Sequence, residues 1–283
     1  MKHGYALLFG ICAVSTGAIF ARLASAPSLA VAAWRMIISG GVLLPAAFWL
    51  KRDELKRISR QNARDLMLAG FFLALHFAFW ISSLSLTSVA SSVLFVNTAP
   101  LWTALFAPFI SGERISAKSA AGILLSVAGA CAIGFGDMSG DAEALKGDAM
   151  ALAGAAALAL YLLMGQRVRN TLSTLPYTGV CYSISCLWLL LFCLATKTPL
   201  TGWEPQTWSA LAALALVPQI IGHTTYNWAL KECSAVLVSV SLMGEPVCSS
   251  LMAWAIFGEK LTPVFLAGSA LTLFGIWLAS QKN

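Results

Sequence analysis

Residues 83–116 read SLSLTSVASSVLFVNTAPLWTALFAPFISGERIS and residues 229–262 read ALKECSAVLVSVSLMGEPVCSSLMAWAIFGEKLT; the second stretch lies 146 residues after the first and aligns with it without a gap. Identities fall at Leu84/Leu230, Ser88/Ser234, Pro100/Pro246, Leu105/Leu251, Ala107/Ala253, Ile110/Ile256, Gly112/Gly258 and Glu113/Glu259, and the endings Arg114/Lys260, Ile115/Leu261 and Ser116/Thr262 are conservative. The same offset pairs Ala121/Ala267, Gly122/Gly268, Leu125/Leu271 and Gly129/Gly275. Apolar text matches other apolar text by chance, but a proline and a Gly-Glu-basic ending recurring at one fixed offset mark a duplication.

Outward from these copies the chain is apolar almost throughout. Of 283 residues, 59% are hydrophobic and 11% charged, where a soluble domain carries about a quarter charged residues. Apolar runs of bilayer-crossing length fall near 4–24, 30–50, 65–85, 89–110, 118–136, 147–166, 175–195, 206–229, 235–257 and 263–280. The expected fold is therefore an all-α integral membrane protein with ten transmembrane helices. Its two related halves cover 4–136 and 147–280. The first run is too long for a signal-peptide core and lacks a cleavage site followed by a polar segment, so it reads as the first span.

The charges fix the expected orientation. With the N-terminus inside, the cytoplasmic loops hold thirteen Lys and Arg residues, Lys51, Arg52, Lys56, Arg57, Arg60 and Arg64 among them, and the outer loops hold only Lys146, Lys197 and Lys260. The acidic connection with Asp137, Asp141, Glu143 and Asp148 falls outside. This bias puts both termini in the cytoplasm. It also accounts for the surplus of six positive charges, leaving no reason to expect a nucleic-acid partner. The partners implied are the lipid bilayer and a small-molecule substrate. The seven cysteines lie mostly in apolar runs without metal-type spacing, so neither a metal nor a cofactor is expected.

Five spans per half is an odd number, so the second half must enter the membrane from the side opposite to the first. Inverted repeats are the architecture of secondary carriers, in which two similar bundles exchange conformations around one site. The segments from Pro100-Leu101-Trp102 to Gly112-Glu113-Arg114 and from Glu245-Pro246 to Gly258-Glu259-Lys260 resemble the two repeated units of the drug/metabolite transporter superfamily, EamA type, and the resemblance runs from about Gly4 to Ser280. It implies an exporter of amino acids, other metabolites or drugs in the bacterial cytoplasmic (inner) membrane, with aromatic and other amino acids the closest branch. Ten duplicated helices can enclose a pathway within one chain, so a monomer is expected.

Polar residues inside spans are costly and face the bundle interior. Gln219, His223 and Asn227 form one stripe of the eighth span; His76, Trp80 and Ser83 form another on the third; Ser241, Glu245 and Ser249 repeat the spacing on the ninth; Asn97 and Thr98 precede Pro100 on the fourth. These stripes predict a central substrate cavity lined by spans three, four, eight and nine, with Ser15 and Tyr161 contributing. Phe79, Trp80, Trp102, Tyr161, Tyr226 and Trp228 suit stacking on a flat or apolar solute. Pro100 and Pro246, each in mid-span, should bend their helices, free a carbonyl and act as hinges. Glu245, acidic and near a span centre, fits either a coupling proton or ammonium ligand, or a cap for the carbonyl freed by Pro246.

Drug-like organic cations and sugar phosphates are the alternative cargoes. Only Arg22 and Arg35 approach a span interior, both near its outer end, which argues against phosphate; the first span lacks the Glu that small-multidrug coupling would favour. An intramembrane enzyme would need an oxyanion loop beside a Ser, paired aspartates or a His-Glu-His metal motif, and the sequence has none of these, nor a phosphate-binding loop of an ATPase.

Overall fold

The computed structural model describes residues 2–134, 141–257 and 262–281, so the second Gly-Glu-basic ending, Gly258-Glu259-Lys260, and the acidic Asp137 lie outside the described residues. Among those described, the chain is entirely helical: α1 (Lys2–Val14), α2 (Gly17–Leu23), α3 (Ser28–Leu50), α4 (Arg52–Lys56), α5 (Arg60–Ser83), α6 (Val89–Val96), α7 (Ala99–Ile110), α8 (Ala117–Gly134), α9 (Ala142–Arg169), α10 (Thr174–Ala195), α11 (Pro205–Leu214), a π-helical segment (Ala215–His223), α12 (Thr224–Ala229), α13 (Ala235–Leu242), α14 (Glu245–Phe257) and α15 (Pro263–Ser280). Seven of the resulting rods are long and apolar enough to cross a bilayer: Tyr5–Leu23, Ser28–Leu50, Arg60–Ser83, Ser91–Ile110, Ala142–Arg169, Thr174–Ala195 and Pro263–Ser280. The chain is a multi-pass membrane protein. Of the other three expected spans, the fifth and ninth appear as the shorter apolar helices Ala117–Ile133 and Ala235–Ser249, and the eighth is assembled from α11, the π segment and α12.

Helix ends follow the local sequence. Ser59, Ser88, Ser234 and Thr262 each accept a hydrogen bond from the amide three residues on and so start α5, α6, α13 and α15, using donors that a helix cannot satisfy itself. The ending after α7 has a distinct task. Gly112 turns the chain with φ +73°, and the Glu113 carboxyl lies near Ser234, the cap of α13 in the other half of the sequence.

Pro100 and Pro246 do not bend continuous helices. The fourth and ninth rods are interrupted at Asn97–Thr98 and Met243–Gly244, and each proline sits at the second residue of the helix that follows. There the missing N–H is one the helix would leave unpaired in any case. Glu245 is itself the first residue of α14, where the positive end of the helix dipole favours a carboxylate.

Packing joins segments one repeat apart, α3 on α10 and α8 on α15, and α7 of the fourth span lies on α13 of the ninth. The pair of α8 and α15 is the tightest. A Cβ added at Gly129 would lie 2.5 Å from the Thr272 amide nitrogen and 2.6 Å from the Gly268 carbonyl oxygen, and one at Gly275 would lie 2.5 Å from the Ser126 amide nitrogen and 2.6 Å from the Gly122 carbonyl oxygen. Between them Ser126 Oγ donates to the Thr272 carbonyl at 3.3 Å while Thr272 Oγ1 donates to the Ser126 carbonyl at 3.4 Å. Van der Waals contact of two smooth helix faces replaces the hydrophobic effect, which does not act between helices in lipid. Three tryptophans also gather: Trp34 meets Trp208 edge-on at 4.8 Å, Trp208 meets Trp203 at 5.4 Å, and Trp34 Nε1 donates to the Leu200 carbonyl at 2.7 Å.

Two stability tests follow from this packing. Gly129→Ala should cost about 1–3 kcal/mol by overpacking, whereas Gly41→Ala, where an added Cβ meets nothing within 4 Å, should gain about 0.5–1 kcal/mol; melting in detergent reads both. Burial holds the Glu113 carboxyl above its usual range, opposed by the nearby Ser234. A raised folded value means stability that is complete below the ordinary 4.5 and is lost as pH rises through the folded pKa. Glu113→Gln should therefore flatten the fall of melting temperature between about pH 4.5 and neutrality.

Candidate functional site

The interruptions in the rods converge. α1 and α2 part at Ser15–Thr16, and Ser15 Oγ donates to the Ile11 carbonyl at 2.7 Å and to the Glu245 carbonyl at 3.4 Å. Asn97, at the break of the fourth rod, donates through Nδ2 to the Val93 carbonyl at 2.8 Å, and its side chain lies near the Glu245 carboxyl at the break of the ninth. The two equivalent breaks thus lie side by side.

Beside them lies an aromatic cluster. His76 and Trp80, one turn apart on α5, stack at 5.9 Å with ring planes 5° apart. His223, closing the π segment, lies 6.3 Å from His76, 5.4 Å from Phe77 and 6.0 Å from Tyr226. The His76 Nδ1 sits 2.9 Å from the Gly154 carbonyl on α9; a carbonyl only accepts, so the proton is on Nδ1 and Nε2 is left as an acceptor. The π segment, with Pro218 inside it, has the wider turn that recurs at functional positions in helices, and it carries both Gln219 and His223 into the cluster.

At the centre stands a residue that the sequence reading put at the margin. Arg35 on α3 is 0% exposed. Its Nε donates to Gln219 Oε1 at 2.7 Å, its guanidinium carbon lies 4.1 Å from the centre of the Phe77 ring and 5.9 Å from that of Trp80, and Glu245 is near enough to act on its charge. Arg22, by contrast, is exposed. The objection to anionic cargo drawn from a shortage of interior cations therefore loses its basis. The sequence did carry a signal for Arg35, since a guanidinium within an apolar 23-residue helix is expensive wherever it sits; its distance from the helix end was a poor guide to its burial.

A second polar network adjoins the first. Tyr161 donates to Asn227 Oδ1 at 2.7 Å, Asn227 Nδ2 donates to the Tyr182 hydroxyl at 3.0 Å, and Arg169 Nε donates to the Asn227 carbonyl at 2.8 Å. These contacts lock α9, α10 and α12 together. Of the expected site residues, His76, Trp80, Tyr161, His223, Tyr226, Asn97, Asn227 and Glu245 belong to these two connected clusters. Four others do not join them through a described contact. Thr98 and Ser241 donate back to their own helices, to the Phe95 carbonyl at 2.6 Å and the Leu237 carbonyl at 2.9 Å. Trp102 packs on Phe106 at 5.9 Å, and Phe79 is half-buried, the ring beneath Arg35 being that of Phe77.

A multi-pass helical membrane protein with broken helices meeting at a buried polar and aromatic cluster has the form of a transporter. The EamA-like transporter family matches the chain twice, over residues 2–135 and 145–281, and the chain belongs to that family. It is 28% identical to the "Uncharacterized transporter YyaM" of Bacillus subtilis over 99% of this chain and 95% of that protein. It is 24% identical to the "Probable terminal-alkyne amino-acid exporter" of Streptantibioticus cattleyicolor over 80% of this chain and 77% of that protein. A crystal structure 24% identical in sequence superposes with a TM-score of 0.80, covering 98% of this chain and 96% of that one, and shows the same fold.

Tyr161→Phe removes the donor to buried Asn227 Oδ1 and should destabilise the protein by about 1–3 kcal/mol. Thermal denaturation of the purified protein measures it.

Proposed function

We propose that this chain is a secondary carrier that exports small amphipathic metabolites, amino acids above all, across the bacterial cytoplasmic membrane by alternating access. Its ten spans form two five-helix repeats, 4–136 and 147–280, inserted with opposite orientation; both termini are cytoplasmic and one chain suffices. The observation that carries this reading is the meeting of the two equivalent breaks: Asn97 in one copy lies near Glu245 in the other, beside the buried cluster of His76, Trp80 and His223. Irregular backbone at corresponding places of two halves is where carriers bind their solutes.

The packing supports the inverted arrangement. Contacts of Gly122 with Gly275 and of Gly129 with Gly268 exchange under the 146-residue shift, as do the Ser126 and Thr272 hydrogen bonds. An antiparallel helix pair that maps onto itself when its members are swapped has a two-fold axis across it. Such an axis in the membrane plane relates opposite orientations of the two halves. Amino acids are favoured by the relative named as an amino-acid exporter, and Pro100 and Pro246 fit hinges because each begins a helix just after a break.

Counterflow of labelled amino acids in liposomes containing the purified protein tests the proposal. Saturable flux is expected, and His76→Ala or Trp80→Ala should lower it at least about tenfold, the equivalent of 1.4 kcal/mol. Saturable movement of organic cations or sugar phosphates, with none of any amino acid, would overturn the choice of substrate. For orientation, a green fluorescent protein fused after Asn283 should fluoresce and an alkaline phosphatase fused there should be inactive.

A further inference from the structure

Two guanidinium groups are fully or almost fully buried among the described residues, and they differ in one respect. Arg169 donates through Nε to the Asn227 carbonyl and through Nη1 to the Leu172 carbonyl, and so acts as a structural clamp on helix ends. Arg35 uses only Nε, towards Gln219, while Nη1 and Nη2 have no hydrogen-bond partner. Burying a charge costs several kcal/mol unless it is well paired. A cation over an aromatic face recovers about 2 kcal/mol when desolvated, and one charge-assisted hydrogen bond about 1.5–3 kcal/mol. A fork with two free N–H arms is left over.

The surroundings of that fork are specific. Phe77 and Trp80 flank it, and Trp80 Nε1 is another buried donor without a partner. Glu245, near Asn97, is close enough to act on the charge of Arg35, yet the ion pairs within 4.0 Å among the described residues are at Asp65 and Glu54, not here. Beside Glu245 is the Tyr226 hydroxyl, also buried and unpartnered. A guanidinium and a carboxyl group thus share one buried cluster without contact, each next to an unused polar group and an aromatic face.

We propose that Arg35 is the anchor for a carboxylate of the transported solute, with Nη1 and Nη2 taking its two oxygens. This rests on the carrier reading given above and states which end of the solute lies where. A planar guanidinium matches a carboxylate two bonds at a time. Glu245 then faces an ammonium group on the same solute, and the rings of Phe77, Trp80 and His223 face its apolar part. An organic cation without a carboxylate would meet the charge of Arg35 with nothing to offset it. A dianionic phosphate would meet one cation and one carboxylate, a balance that disfavours it. The arrangement selects amino acids with apolar side chains.

Three probes that differ by one group each separate the possibilities: L-phenylalanine, phenethylamine, which lacks the carboxylate, and 3-phenylpropionate, which lacks the ammonium. Their dissociation constants are measured by titration calorimetry on the purified full-length protein and on Arg35→Gln. Wild type should bind both acids more tightly than the amine, and Arg35→Gln should weaken both acids at least about tenfold while leaving the amine within about twofold. Phenethylamine binding as tightly as L-phenylalanine, an unchanged affinity of the acids for Arg35→Gln, or no binding of either acid to wild type would overturn the anchor. If Arg35→Gln does not fold, Arg35→Lys keeps the charge but not the fork; the acid-to-amine affinity ratio should then fall at least about threefold, and an unchanged ratio would overturn the proposal. Failure of the exporter reading is seen elsewhere, as the absence of amino-acid flux in wild-type liposomes, and Arg35-dependent binding of 3-phenylpropionate would support the anchor even then.

Discussion

In hydrocarbon a peptide group has no water to bond to, and this constraint organises the whole molecule. Each N–H and C=O must be satisfied within its own helix, or else be shielded by other parts of the protein. Among the described residues, the chain meets the demand with long uninterrupted helices, such as α10 and α15, and breaks the α-helical backbone of its spans at four places: Ser15–Thr16, Asn97–Thr98, the π segment Ala215–His223 and Met243–Gly244. These are brought into one neighbourhood, where Ser15 bonds the Glu245 carbonyl, Gln219 accepts from Arg35, and Asn97 lies near the Glu245 side chain. The same exposed backbone that would be intolerable against lipid becomes useful once it lines the interior.

That neighbourhood concentrates the polar chemistry that the rest of the chain excludes. Arg35, Glu245, His76 and His223 are all buried, and the aromatic faces of Phe77 and Trp80 give the guanidinium partial compensation without consuming its donors. The adjoining Tyr161–Asn227–Tyr182 network is different in kind, because its donors and acceptors are paired with one another. One cluster is saturated and braces helices; the other has capacity left over. The distinction separates framework from site more sharply than the mere presence of polar residues in a span.

Duplication supplies the scaffold, and departures from it supply the site. The seam of α8 and α15 obeys the repeat closely, down to the paired Ser126 and Thr272 hydrogen bonds. At the core the halves diverge: Phe77 of regular helix α5 corresponds at the 146-residue offset to His223 of the π segment, and Trp80 to Tyr226. Asn97 corresponds to Met243 and Glu245 to Ala99, so the amide and the carboxyl that lie near each other each have an apolar residue at the equivalent place.

The sequence by itself determined the helical membrane class, the repeat and its offset, the helix starts at Ser88 and Ser234, and the stripe containing His76 and Trp80. These depend on composition, on spacing along one helix and on local capping, which are properties of contiguous residues. Tertiary structure decided what depended on neighbours distant in the chain. It made Pro100 and Pro246 the beginnings of helices and not kinks, chose Phe77 over Phe79 as the ring under a cation, and turned Thr98 and Ser241 back onto their own carbonyls. Above all it decided the standing of Arg35, because position along a helix gives distance from the helix end, whereas burial depends on which helices pack around it. Only when α3 lies against α10 and the π segment does that guanidinium lose its access to water and come to face Gln219 and Glu245.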